Sequence, residues 1–176
     1  MKIAIFTNLY KSYHRQDLCI ESLIKLKKLY PDILSLHNIA NPPDDPSMED
    51  ETQEYDFFTT HHCLKRSSQD HDPDTHKPFM SDIFKFMGEY GEKEKYDYVV
   101  FVNSDIIVSD RAIKLLITDK APCYFISRLN ITDIETLDDQ TISPVDQYSV
   151  AGMDLVAIRP EEIKKIEQYM PDYITA

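Results

Sequence analysis

The chain has 176 residues, with 31 acidic and 19 basic side chains and a formal charge of −12. That length fits one domain of roughly 100–200 residues, and 42% hydrophobic residues with eleven tyrosines and eight phenylalanines exclude a wholly disordered chain. The acid excess argues against nucleic acid as a partner, because neutralising phosphates needs a basic face.

No apolar run approaches the ~20 residues of a membrane helix, so no membrane span is expected. The opening MKIAIFTN turns polar at Thr7, too early for a signal peptide. Cys19, Cys63 and Cys123 are widely spaced and form no Cys-x-x-Cys pair. They read as reduced thiols of a cytoplasmic protein, not as a disulfide or zinc scaffold. Asn130-Ile131-Thr132 matches a glycosylation acceptor, a pattern short enough to arise by chance.

In chain order, Lys2 to Thr7 reads as a short buried strand through Ile3, Ala4, Ile5 and Phe6. From Arg15 to Tyr30 the period becomes helical: Cys19, Leu23, Leu26 and Tyr30 share a stripe, Glu21, Lys25 and Lys28 lie off it, and Pro31 ends it. Ile33 to Leu36 reads as a second strand. Strand, helix and strand together are the βαβ signature of a parallel sheet.

Residues 40–54 hold three prolines and an acidic run, and read as a loop. Tyr55 to Thr60 reads as a third strand. The polar stretch from His61 to His76 holds four of the six histidines and reads as a second loop, bordering a crevice. Pro78 suits the first turn of a helix. Phe79, Ile83, Met87 and Tyr90 follow at helical spacing, with Gly88 and Gly91 marking its end. Tyr98 to Val102 is a continuous apolar run suited to the centre of a sheet. Ser109 or Asp110 can cap a short helix through Leu116. Cys123 to Ile126 and Leu155 to Ile158 read as further strands. Pro160 opens a last helix, with Glu161 and Glu162 where acid complements the helix dipole.

In an open α/β sheet, ligands bind beyond the carboxyl ends of the strands. Two such ends carry polar groups here: Thr7-Asn8, and Asn103-Ser104-Asp105 after the central strand. One carboxylate in such a turn can hold Mg²⁺ or Mn²⁺ against a diphosphate, which supplies the remaining oxygens. The competing reading is ordinary turn chemistry.

Taken together, Lys2–Tyr10, Tyr98–Ile106, Tyr124–Arg128 and Gly152–Ile158 resemble glycosyltransferases of the GT-A fold. The resemblance implies a single glycosyltransferase-like domain over 1–176. Its fold would be a three-layer α/β/α Rossmann-like arrangement around a mostly parallel sheet. It implies a hexosyltransferase-type enzyme using a nucleotide-sugar donor and a glycan or other hydroxyl acceptor. Asn103-Ser104-Asp105 resembles that family's Asp-x-Asp motif with the first acid replaced. Asp105 then maps to the metal ligand, for Mn²⁺ or Mg²⁺, and Asn103 to the position facing the ribose or the metal shell. Asn103 carries no charge, and no histidine follows His76 to serve as a second ligand. That ligand would be Asp154, or a histidine beyond residue 176. The chain is also short for the fold, as in a variant lacking an acceptor-binding segment at its C-terminal end.

Thr7, Asn8, Tyr10, Ser104, Arg15, Arg66, Lys77 and Arg128 complete the expected nucleotide-sugar site. The four cations suit a diphosphate, and as solvated surface charges they would need no ligand. Asp154, after Gly152, is the first candidate for the carboxylate base that an inverting transferase needs. Asp146 is the second. A zinc site from His61, His62, His71 and His76 is disfavoured, because adjacent histidines on a strand point to opposite faces and the spacing matches no standard site.

Two other classes compete. A non-catalytic nucleotide- or sugar-binding or interaction module retaining the fold accounts for Asn103, the short chain and the missing histidine. A nucleotidyltransferase would carry a Gly-rich phosphate loop after the first strand, where Lys11-Ser12-Tyr13 has no glycine.

Overall fold

The computed structural model describes residues 1–9, 16–40, 55–64, 79–127, 129–130, 147–148 and 154–169. They form eight strands and four helices: β1 Ile3–Thr7, α1 Gln16–Leu29, β2 Leu34–Ala40, β3 Phe58–His62, α2 Met80–Glu94, β4 Tyr98–Val102, α3 Asp110–Thr118, β5 Cys123–Ile126, β6 Leu129–Asn130, β7 Gln147–Tyr148, β8 Leu155–Ile158 and α4 Pro160–Ile166. A 3₁₀ turn, Glu167–Tyr169, follows α4. Six strands make one sheet in the order β3-β2-β1-β4-β8-β5, and β6 pairs with β7 separately. The sheet is mostly parallel, as expected. β1 pairs with β2 and β4 in parallel, and β2 with β3. Only β8 runs antiparallel, to β4 on one side and β5 on the other. Among the described residues no helix is long and apolar enough to cross a membrane.

Strand alternation sorts the core into two clusters on opposite sheet faces. Ile3 and Ile5 of β1 and Tyr98, Val100 and Val102 of β4 join Cys19, Leu23 and Leu26 of α1 and Ile113 and Leu116 of α3. Ala4 and Phe6, with Val99 and Phe101, join Ile83, Phe84 and Met87 of α2 and Ile163 of α4. Every residue of β1 and β4 is buried. This is why those strands read as unbroken apolar runs. A sheet covered on both faces has no polar side to present.

Several boundaries differ from the sequence reading. β2 runs to Ala40, four residues past Leu36, because pairing with β1 and β3 holds His37 and Asn38 extended despite their polarity. β3 starts at Phe58, not Tyr55, and runs through His61 and His62, which the sequence placed in a loop. α2 does not stop at Gly88 or Gly91. It continues to Glu94 and ends where Lys95 turns left-handed, at φ 58°, and Tyr96 N–H donates to the Gly91 carbonyl at 2.9 Å. Ser109 stands at the N-cap of α3, but its hydroxyl makes no capping bond. The expected loop at 40–54, apart from Ala40, lies outside the described residues, as do Pro78 and Gly152.

The glycines of α2 serve close packing. A Cβ on Gly91 would lie 2.6 Å from Val99 Cγ1 and 2.7 Å from Pro160 Cγ, where strand β4 and the start of α4 meet the helix. Overpacking of this kind costs about 1–3 kcal/mol, offset in part by the ~1 kcal/mol that alanine gains in a helix. Gly91→Ala is therefore expected to lower the urea midpoint of unfolding. An unchanged or raised midpoint would refute the close approach.

Candidate functional site

β1, β2 and β4 all end at one edge of the sheet, and β8 begins there. The order reverses across β1: β2 and β3 lie on one side, β4 on the other. The connection through α1 packs on one face, and the helix α2 that precedes β4 packs on the other. A crevice is left outside the carboxyl ends at such a switch point.

The register decides which polar groups meet there. Thr7 pairs with Asn38. Phe6 pairs with Phe101, which puts Thr7 level with Val102 and Asn103 just beyond. Val102 pairs with Leu155, and the Asn103 N–H donates to the Asp154 carbonyl at 3.2 Å. Thr7, Asn38, the Asn103–Asp105 turn and Asp154 thus share one edge.

Their environments differ. Thr7 and Asn38 are both 0% exposed, yet among the described residues Thr7 Oγ1 and Asn38 Nδ2 have no hydrogen-bond partner. Asn38 Oδ1 accepts from the Leu9 N–H at 3.0 Å. That bond fixes which way the amide faces and leaves its donor side without a partner among the described residues. Asn8 sits beside them, but its Nδ2 donates to the Ile39 carbonyl, so its donor ties β1 to β2.

The Ile106 N–H donates to the Asn103 carbonyl at 3.1 Å, closing a tight turn over Ser104 and Asp105. Asp105 is exposed, and Asn103 and Ser104 are half-buried. Helix α1 clamps the segment at both ends. The Cys19 thiol donates to the Asn103 carbonyl at 3.7 Å, and Ser22 Oγ accepts from the Val108 N–H at 3.1 Å. Burial pushes the Cys19 thiol up to about 12, and the Asp105 charge adds to the shift. Cys19 is therefore a neutral clamp and not a nucleophile.

Asp154 is 3% exposed, at the start of β8. Among the described residues no three His, Cys, Asp or Glu side chains converge on a metal position. The donor set at this edge, one exposed carboxylate beside an amide and a hydroxyl, fits a divalent ion only when a diphosphate supplies most of the ligands. His61 faces the core while His62 is exposed, as expected for neighbours on a strand. Tyr10, Arg15, Arg66, Lys77, Arg128 and Asp146, with His71 and His76, lie outside the described residues. A cavity of about 250 Å³ between α1 and the start of α3 is lined by Ser22, Leu26, Val108 and Asp110 and touches none of the candidate residues.

Asn38 is the residue that sequence reasoning missed. With the second strand ended at Leu36, nothing set Asn38 beside Thr7. Only the parallel register does so. The chain matches no protein-family model and no curated protein.

A buried hydroxyl without a partner costs about 1–3 kcal/mol. Thr7→Val keeps the shape and removes the hydroxyl, so it is expected to raise stability by about 1 kcal/mol in urea unfolding. A loss of stability would mean that the Thr7 hydroxyl is bonded within the protein and is not open to a ligand.

Proposed function

We propose that this chain is a nucleotide-sugar-dependent glycosyltransferase with a three-layer, Rossmann-like GT-A fold. The observation that carries the reading is the switch-point edge. Two fully buried polar groups without partners among the described residues, Thr7 Oγ1 and Asn38 Nδ2, stand level with a strand-end turn that presents the exposed carboxylate of Asp105. Buried polar groups are nearly always paired, so an open pair at this place fits groups that a bound ligand completes.

In this proposal Thr7 and Asn38 hold the nucleoside, and Asn103 and Ser104 flank the ribose and phosphates. Asp105 shares Mn²⁺ or Mg²⁺ with the diphosphate. A divalent ion there supplies charge to offset that growing on the leaving nucleoside diphosphate. The same reading makes the other partner a glycan or other hydroxyl acceptor, and the expected cytoplasmic setting belongs to it.

Asp154 is the weaker part. A general base must come within hydrogen-bond reach of the acceptor hydroxyl, and Asp154 is buried. That observation favours the second reading, a binding module that keeps the donor site without transfer. Sugar transfer or donor hydrolysis by the purified protein separates the two.

Asp105→Asn is expected to fold like the parent, since an exposed strand-end carboxylate contributes little to a core. It is expected to lose Mn²⁺-dependent binding of nucleoside diphosphates, because an amide lacks the charge that offsets cation dehydration. Asn103→Asp is expected to tighten that binding by adding a second acid two residues away. Calorimetric titration of both variants with a nucleoside diphosphate and Mn²⁺ measures this. If Asp105→Asn binds like the parent, the metal role is wrong. If it unfolds, Asp105 is structural.

A further inference from the structure

On the opposite face of β2 from Asn38 lies a polar chain inside an aromatic cluster. His37 is 2% exposed. Its Nδ1 lies 3.0 Å from His61 Nε2 on β3, and its Nε2 lies 2.8 Å from Ser35 Oγ. Ser35 Oγ in turn donates to the Tyr96 hydroxyl at 2.9 Å. In one of the two tautomer arrangements that these contacts allow, Ser35 Oγ accepts from His37 Nε2–H. His37 Nδ1 is then the acceptor, and His61 Nε2–H is the donor. Both imidazoles are neutral in this arrangement.

The described groups around the pair are mostly aromatic. From β1 comes Phe6, stacked on His37 at 4.8 Å. From α2 come Phe86 and Tyr90, with ring centroids 5.1 and 4.8 Å from His61. Tyr96, between α2 and β4, stands edge-on to His37 at 6.0 Å. The nearest charge on β3 itself is a second histidine, His62, whose proton would repel one on His61. The Glu94 charge of α2 bears on Tyr90. Among the described residues no carboxylate is bonded to either ring. After one added proton a single N–H can still bridge the two rings, and a second proton sets N–H against N–H. The second leaves two positive charges in a largely buried cluster.

We propose that the His37–His61 pair is a proton-controlled latch on the edge strand β3: the neutral pair holds β3 against β2, and acid releases it. β3 is suited to this role. Among the described residues it stands at the end of the sheet with a single neighbour, and apart from Phe58 its residues are half-buried or exposed. Its departure exposes His61 and one flank of His37 without opening β1 or β4.

Burial, with the His61 charge second, holds His37 down to about 3. Burial, then His62, lowers His61 as well. His61, set free with β3, takes up protons at the ordinary histidine value near 6.5, whereas in the latched pair both rings are held below it. The latch is therefore unaffected well above pH 6.5 and weakens as pH falls through that value.

Hydrogen exchange on the whole chain tests this. After correction for intrinsic rates, the opening constant of the β3 amides is expected to rise between pH 7.5 and pH 5, by up to about thirty-fold for each ring set free. It should show little urea dependence while β4 stays protected. In the double variant His37→Phe/His61→Phe, which keeps the rings and removes the titration, the rise is expected to vanish. A β3 opening constant that is unchanged by pH, an equal rise in the double variant, or β3 exchange only together with β4 would each overturn the latch. Should the double variant fail to fold, imidazole titration of the parent by NMR decides. Protonation of both rings coincident with loss of β3 protection supports the latch, and titration near pH 6.5 with β3 still protected refutes it.

Discussion

β1 lies between two parallel neighbours and is buried on both faces along its whole length. A strand in that position cannot slip. Because side chains alternate with a period of two, a one-residue shift would send Ile3 and Ile5 to the α2 face and Ala4 and Phe6 to the α1 face. Small Ala4 opposes the α2 side and bulky Ile5 the α1 side, so the two clusters would be over- and underfilled at once. The register of β1 against β2 and β4 follows from this packing, and with it the alignment of Thr7 with Asn38 and Val102. The candidate site is a consequence of how the apolar core interlocks.

The same sheet carries polar groups inside its buried layers, on both faces of β2. On one face Asn38 keeps an Nδ2 donor that has no partner among the described residues. On the other His37 is fully partnered, through Ser35 and His61. The contrast is informative because burial is equally complete at both positions. A satisfied buried polar group rigidifies its surroundings, whereas an open one is costly and survives where something else completes it. For this reason the edge beside Asn38 is read as a ligand site, and the histidine chain as part of the fold's own bonding.

Turn chemistry at the end of β4 shows how far a local motif can be interpreted. Asn103-Ser104-Asp105 makes an ordinary tight turn closed by the Ile106 N–H, which is what the competing reading required. It also lies at the switch point, clamped from below by Cys19 and Ser22 of α1. Turn geometry and binding geometry do not exclude each other. The turn supplies the shape, and the exposed carboxylate of Asp105 is left with no structural duty to the core.

The sequence alone determined the elements whose burial is uniform or periodic. Tyr98–Val102 and Leu155–Ile158 are buried apolar runs of strand length. The stripe in α1 and the proline at the head of α4 mark helices by spacing and by backbone chemistry. Tertiary structure decided the rest, because there the local signal and the packing disagree. Gly88 and Gly91 read locally as helix breakers, but α2 passes through them since Ile163, Val99 and Pro160 need the space a side chain would fill. His37 and Asn38 lie past the strand read at Ile33 to Leu36, but two neighbouring strands keep β2 extended and bury all but Ser35 of its residues. His61 and His62 read as loop, but hydrogen bonding to β2 makes them strand. Propensity and periodicity are properties of neighbours along the chain. The pairing of Thr7 with Asn38, and of His37 with His61, joins residues far apart in sequence, and only the closed sheet brings them together.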